Sequence, residues 1–217
     1  YFLEVSDNGI GMTPEEVNSF YLRVGAERRT DPRRGGESKK FGRKVMGRKG
    51  VGKLAPFGIC DKIEIVSSGG NIVDGVDKDG RHLKGYLTAH LFLDRAEIMN
   101  DDDGDYHPET GPLDGTVQPQ SGTCIRMTLF DHRRVPGIDA FERQLSQRFG
   151  IVSVDWEIKL IDSLKTATDA AYSRLIGEFN VAKMPGTEIA FEIEYDAAGK
   201  VSKAKALNPD GTMCADV

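Results

Sequence analysis

The sequence predicts an α+β fold, on three observations. Alternating apolar and polar residues recur in strand-length runs at 62–67, 84–94 and 123–130, with turn residues between the first two as in a hairpin. Helical spacing is confined to short segments, chiefly Val17, Phe20, Tyr21, Val24 and Ile138, Phe141, Leu145, Phe149. The composition supports a core: of 217 residues 39% are hydrophobic, 29% charged and 8% aromatic, which excludes disorder, collagen and coiled coil as descriptions of the whole.

The elements run in this order. Residues 1–6 are a strand entering the turn Asp7-Asn8-Gly9-Ile10-Gly11. Thr13-Pro14-Glu15-Glu16 starts a helix, with Thr13 as N-cap, Pro14 at the first position and Glu16 completing a capping box. Residues 25–46 are polar, basic and glycine-bearing, a long loop of the length that lids and binding loops have. Gly47 to Gly52 opens a second helix, roughly 51–59. After strand 62–67, Gly69-Gly70 and Lys78-Asp79-Gly80 read as turns. Residues 100–121 are an acidic surface loop, and 138–149 an amphipathic helix. A strand at 156–161 and a hairpin at 187–207, turning at Asp196–Gly199, complete the chain. A change of pattern divides it into a domain at 1–135 and part of a second, α/β one at 136–217. The chain opens inside a strand and closes just after a turn, so the expectation is a piece of a longer protein.

Charge and cysteine usage narrow the function classes. From Arg28 to Lys53 eleven Lys and Arg face only Asp31 and Glu37, a charge of +9 on a chain whose net charge is −5. A basic segment on an acidic protein favours an anionic partner bound locally. Cys60, Cys124 and Cys214 are too few and too scattered for a disulfide framework or a zinc site, which suits a reducing cytoplasm. The four histidines lack ligand spacing, so no metal site is expected from them. No apolar run approaches the roughly 18 residues of a membrane span, and no membrane partner is expected.

Two glycine clusters carry the chemistry. In Asp7-Asn8-Gly9-Ile10-Gly11-Met12-Thr13 an acid ends a strand and two glycines let the backbone approach a planar ligand, while the carboxylate can accept from an exocyclic amine. That pairing selects adenine over guanine. The competing reading of the same residues is a plain tight turn capped by its aspartate. In Gly47-Arg48-Lys49-Gly50-Val51-Gly52-Lys53-Leu54, spaced glycines open a helix and offer free N–H groups to phosphate. Leu54 lacks the hydroxyl that a P-loop places on Mg²⁺, and residues 41–46 are not the buried strand a P-loop hangs from.

Together, in this order, the two clusters resemble the nucleotide-binding signature of the GHKL ATPases, the superfamily of gyrase, the large heat-shock chaperones, histidine kinases and MutL. The details are most similar to the heat-shock-chaperone-like and MORC-like branch. They are Asp7–Thr13, Leu22-Arg23-Val24-Gly25 before the lid, Gly50-Val51-Gly52 with Phe57, Cys60-Asp61-Lys62-Ile63-Glu64-Ile65, and Gly122-Thr123 leading into a strand. The resemblance covers residues 1 to about 131.

It implies a two-layer Bergerat-type sandwich, with helices on one face of a mixed, mostly antiparallel sheet. By the same resemblance Asp7 takes the adenine amine and Thr123 supports it. Gly9, Gly11 and Met12 wall the pocket, the amides of Gly50, Val51 and Gly52 cradle phosphates, and Arg48, Lys49 and Lys53 add charge. The implied cofactors are ATP and Mg²⁺. The Mg²⁺-binding Asn and the catalytic Glu are expected upstream of Tyr1, so no catalytic residue is assigned within the chain and the fragment is expected to be inactive. The expected function is ATP binding and, in the intact protein, hydrolysis that drives lid closure and homodimerisation of a cytoplasmic chaperone-like or MORC-like switch, with a protein client or nucleic acid engaged through further domains. A slow nucleotide-sensing subunit of a larger antiviral or DNA-associated assembly is the alternative. A nucleic-acid module built on residues 28–53 is disfavoured, because no aromatics interleave with the cations.

Overall fold

The computed structural model describes residues 1–25, 35–37, 42, 51–100, 106–131, 136–149, 156–169, 172–176, 190–195, 201–208 and 212. The chain divides into two compact units, Tyr1–Arg133 and Arg134–Val217. Of the expected features, the 26–34, 38–41 and 43–50 parts of the basic loop, including Arg48, Lys49 and Gly50, lie outside the described residues, as does the turn at 196–199.

The first unit is an α+β layer built on a six-stranded sheet. Its strands are β1 (Leu3–Asp7), β2 (Cys60–Val76), β3 (His82–Asp94), β4 (Glu109–Thr110), β5 (Val117–Gln118) and β6 (Gly122–Phe130). The order is β1-β6-β2-β3-β4, with β5 also on β3, and the described pairings are antiparallel. Period-2 alternation gives the sheet two unlike faces. One row runs Leu3, Met127, Ile63, Leu93 across four strands, and its buried members form the core with Cys60 and Ile65. The neighbouring row, on the other face, is charged: Arg126 donates to Glu4 at 2.7 Å and sits 3.7 Å from Glu64.

The helical layer covers the apolar face. The capping box forms as its sequence dictates, with Thr13 Oγ1 accepting from the Glu16 N–H at 3.1 Å and Glu16 Oε2 accepting from the Thr13 N–H at 3.0 Å. After one turn, α1 (Pro14–Glu16), the chain widens into a π-helical turn over Val17–Tyr21, where a single α-helix to Val24 was expected. The wider turn, closed by the Leu22 N–H on the Val17 carbonyl at 2.9 Å, brings Val17, Tyr21 and Leu22 all onto the sheet and leaves Val24 exposed. The second expected helix is a 3-10 helix over Gly52–Gly58, with Pro56 inside it. An α-helix there would set the proline ring against a carbonyl one turn back.

Two further expectations are corrected. Gly69-Gly70 is not a turn: β2 runs unbroken through it with a register shift between Gly69 and Ile72, a bulge in one long strand. The hairpin turn is at Asp77–Arg81, where Asp77 Oδ1 accepts from the N–H groups of Asp79 and Arg81, each at 2.8 Å. The acidic loop also carries structure. Its residues 109–110 and 117–118 pair with β3, and between them the chain clasps His90, whose Nδ1 accepts from the Leu113 N–H at 3.2 Å. A short helix, α2 (Arg95–Ile98), comes after β3, and Arg95 reaches Asp131 at 2.8 Å.

In the second unit α3 (Ile138–Phe149) forms as its periodicity requires. β7 (Ile158–Ile161) pairs antiparallel with β8 (Ser173–Ile176), a strand that sequence patterning missed. Arg174 on β8 pairs with Asp139 and Glu142 on α3. β9 (Ala190–Tyr195) and β10 (Val201–Leu207) make the expected hairpin.

Candidate functional site

Asp7 ends β1, directly opposite Thr123 on β6, which is opposite Ser67 on β2, which is opposite Ala89 on β3. Alternation puts this row on the apolar face, two residues beyond Val5, Ile125, Ile65 and Leu91. A polar row therefore interrupts the core face at one end of the sheet, beside the α1 layer.

The loop after Asp7 is pressed against that end by glycines. Gly11 has φ +60°, and a Cβ on it would fall on the Ser68 carbonyl. The bulge at Gly69 is the matching concession on β2: a Cβ there would lie 2.6 Å from the Met12 nitrogen and 2.7 Å from the Ile10 carbonyl oxygen. Ser121 donates to the Gly9 carbonyl at 2.8 Å from the other side. The loop's position is thus fixed by close backbone contact on two strands.

Asp7 forms the capped turn and keeps one carboxylate oxygen open. Its Oδ1 accepts from the Gly9 N–H at 2.8 Å, the aspartate-capped turn. Oδ2 has no hydrogen-bond partner among the described residues, and the side chain is exposed, so an acceptor remains for a ligand. Beneath it Ser67, which is 0% exposed, binds three elements together. It accepts from the Met12 N–H at 2.9 Å, meets Thr123 Oγ1 at 2.9 Å, and lies 3.4 Å from the Gly122 carbonyl. Ser67 was not anticipated, although its signal is in the sequence: inward positions Ile63 and Ile65 are followed by a serine where the pattern calls for a third apolar residue.

The second glycine cluster is seen from Val51 onward. Gly52 opens the 3-10 helix, and a Cβ on it would meet nothing within 4 Å. Lys53 turns toward the end of the first helical segment. Its ammonium donates to the Phe20 carbonyl at 2.9 Å and to the Arg23 carbonyl, and stands 5.8 Å from the Tyr21 ring centre. A cation against helix C-terminal carbonyls is favourable, and partial burial holds its pKa below the usual lysine value. Lys53 therefore ties the 3-10 helix to the first helical segment. The Tyr21 phenol, desolvated by burial, is pushed up to about 12.

A cavity of 320 Å³ lies at the same end of the sheet. Asp7 and Thr123 line it, together with Ser6, Val66, Ser68 and Cys124, whose alternation places them on the opposite face of the sheet, and with Leu113 and Gln120. The candidate site is the row from exposed Asp7 through Thr123 to buried Ser67, with the loop after Asp7. Among the described residues no three His, Cys, Asp or Glu side chains gather as a metal site. No helix among the described residues is long and apolar enough to cross a membrane.

Known proteins share this part of the chain. Residues 3–106 match the family model described as histidine kinase-, DNA gyrase B-, and HSP90-like ATPase, which supports the superfamily and takes in both glycine clusters. The chain is also 42% identical, over 157 residues, to the "Putative type II restriction enzyme HgiDII" of Herpetosiphon aurantiacus. That match takes in 72% of this chain and 23% of the relative, so the chain spans under a quarter of that protein's length.

Proposed function

We propose that residues 1–135 form the ATP-binding domain of a nucleotide-driven switch. In the intact protein, ATP binding closes a lid drawn from residues 26–46 and brings two copies together, and hydrolysis resets them. The observation that carries the reading is the free Asp7 carboxylate oxygen beside the Thr123 hydroxyl, on a loop locked in place by glycine contacts. A fixed acceptor on a rigid loop suits an exocyclic amine and repels a carbonyl oxygen. Calorimetry of the intact protein should show ATP bound in preference to GTP. Asp7→Asn should weaken ATP at least about tenfold, since a lost hydrogen bond to a charged group costs on the order of 1.5–3 kcal/mol. Unchanged ATP affinity in that variant would overturn the assignment.

The heat-shock-chaperone-like and MORC-like outputs are part of this proposal, as are Mg²⁺ and a cytoplasmic setting. The Herpetosiphon relative favours a second reading of the output, a nucleotide-sensing subunit that acts with DNA. Measuring whether ATP changes the DNA affinity of the intact protein separates the two: no change leaves the switch without a DNA role.

A further inference from the structure

We propose that Ser67 is a positioning residue that fixes the Thr123 hydroxyl as a hydrogen-bond donor toward the base. This rests on the adenine reading above and deepens it. A count of protons decides which way each hydroxyl points. The Met12 N–H can only donate, so at 2.9 Å Ser67 Oγ is its acceptor. Ser67 is 0% exposed, so its own proton must find a protein partner or remain buried and unsatisfied. The Gly122 carbonyl, 3.4 Å away, lies beyond the usual O–H···O range, while Thr123 Oγ1 stands at 2.9 Å. The Ser67 proton therefore goes to Thr123.

That donation orients the next hydroxyl. With its oxygen accepting from Ser67, Thr123 directs its own O–H outward, and among the described residues no other partner takes it. Thr123 is half-buried and directly opposite Asp7, so its donor opens on the same surface as the free carboxylate oxygen. The chain Met12 N–H, Ser67 O–H, Thr123 O–H thus ends in a donor beside an acceptor. Adenine presents the complement, an amine at N6 and an acceptor at N1. Guanine presents the reverse, a carbonyl at O6 and a proton at N1. Asp7 then reads one atom of the base edge and Ser67, through Thr123, reads the next.

The test compares ATP with 1-deaza-ATP, in which carbon replaces N1, by calorimetry on the intact protein. The unmodified protein should bind 1-deaza-ATP about tenfold more weakly than ATP. Ser67→Ala should weaken ATP about tenfold and change 1-deaza-ATP by no more than about twofold. Thr123→Val should do the same, Thr123→Ser should restore ATP binding, and the Ser67→Ala/Thr123→Val pair should be no worse than either alone. If Ser67→Ala shows no cooperative thermal transition, Thr123→Val, which leaves the Met12–Ser67 bond in place, carries the comparison. Equal losses for both nucleotides would mean a merely structural role and overturn the proposal. ATP preferred over GTP but bound no better than 1-deaza-ATP also overturns it, leaving the adenine reading intact. ATP and GTP bound alike overturn both.

Discussion

Gly11 and Gly52 look alike in the sequence and are held to different duties. Gly11 sits at φ +60° with the Ser68 carbonyl where a Cβ would go, so Gly11→Ala should lower unfolding stability by about 2–4 kcal/mol, read by urea titration. Gly52 has open space around it. Gly52→Val should leave the melting temperature nearly unchanged while weakening ATP more than adenosine in parallel titrations, because on the proposed reading the branched side chain would stand where amides meet phosphate. Equal loss of the two ligands would remove Gly52 from phosphate binding. The candidate site was legible in the sequence where its parts are local: Asp7, Gly9 and Gly11 sit within five positions, and the aspartate-capped turn is one of the two readings those residues offer. Ser67 was not, because its partners lie 55 and 56 residues away and only the sheet register brings them to it. Lys53 was recognisable as a cation near a glycine loop, but the carbonyls that occupy it belong to Phe20 and Arg23.

Among the elements, the π-helical turn offers a direct test through Tyr21. Burial raises its phenol from 10.0 to about 12. The unfolded chain gives up that proton near 10 and the folded one keeps it, so the folded state binds more protons between these values. The contribution is therefore whole below pH 10 and is lost as pH rises toward 12. Chemical denaturation at pH 9, 10 and 11 should show stability falling, and Tyr21→Phe should flatten part of that fall. Identical pH profiles for the two proteins would mean the phenol is not buried in the native state. Strands β1, β3 and β6 and helix α3 were legible because alternation or helical spacing runs through each. The misses have physical causes. Gly69-Gly70 resembles a turn in isolation, and only the loop pressed against it makes it a bulge. β4 and β5 are two residues each, too short for any periodicity to register. β8 is four residues long and takes its place from pairing with β7.

For residues 1–217 taken by themselves the expectation is binding without turnover. Hydrolysis needs a carboxylate close to the attacking water. Asp7 already holds Gly9, while Glu4 and Glu64 lie on the opposite face, tied to Arg126. Residues 1–217 alone should therefore release no phosphate from ATP above a heat-treated control. Mg²⁺-dependent turnover by this stretch would overturn that expectation. The hydrogen bonds that complete the site also bear on the order of events in synthesis. Met12 to Ser67, Ser67 to Thr123 and Ser121 to Gly9 bridge 55, 56 and 112 positions of chain. Such distant closures come late in folding, and among the described residues β1 pairs with β6 alone. As the chain leaves the ribosome, the strand bearing Asp7 emerges well before β6 and waits for that partner to arrive. Nucleotide can guard the finished sheet against reopening, but it has nothing to hold until that strand is in place.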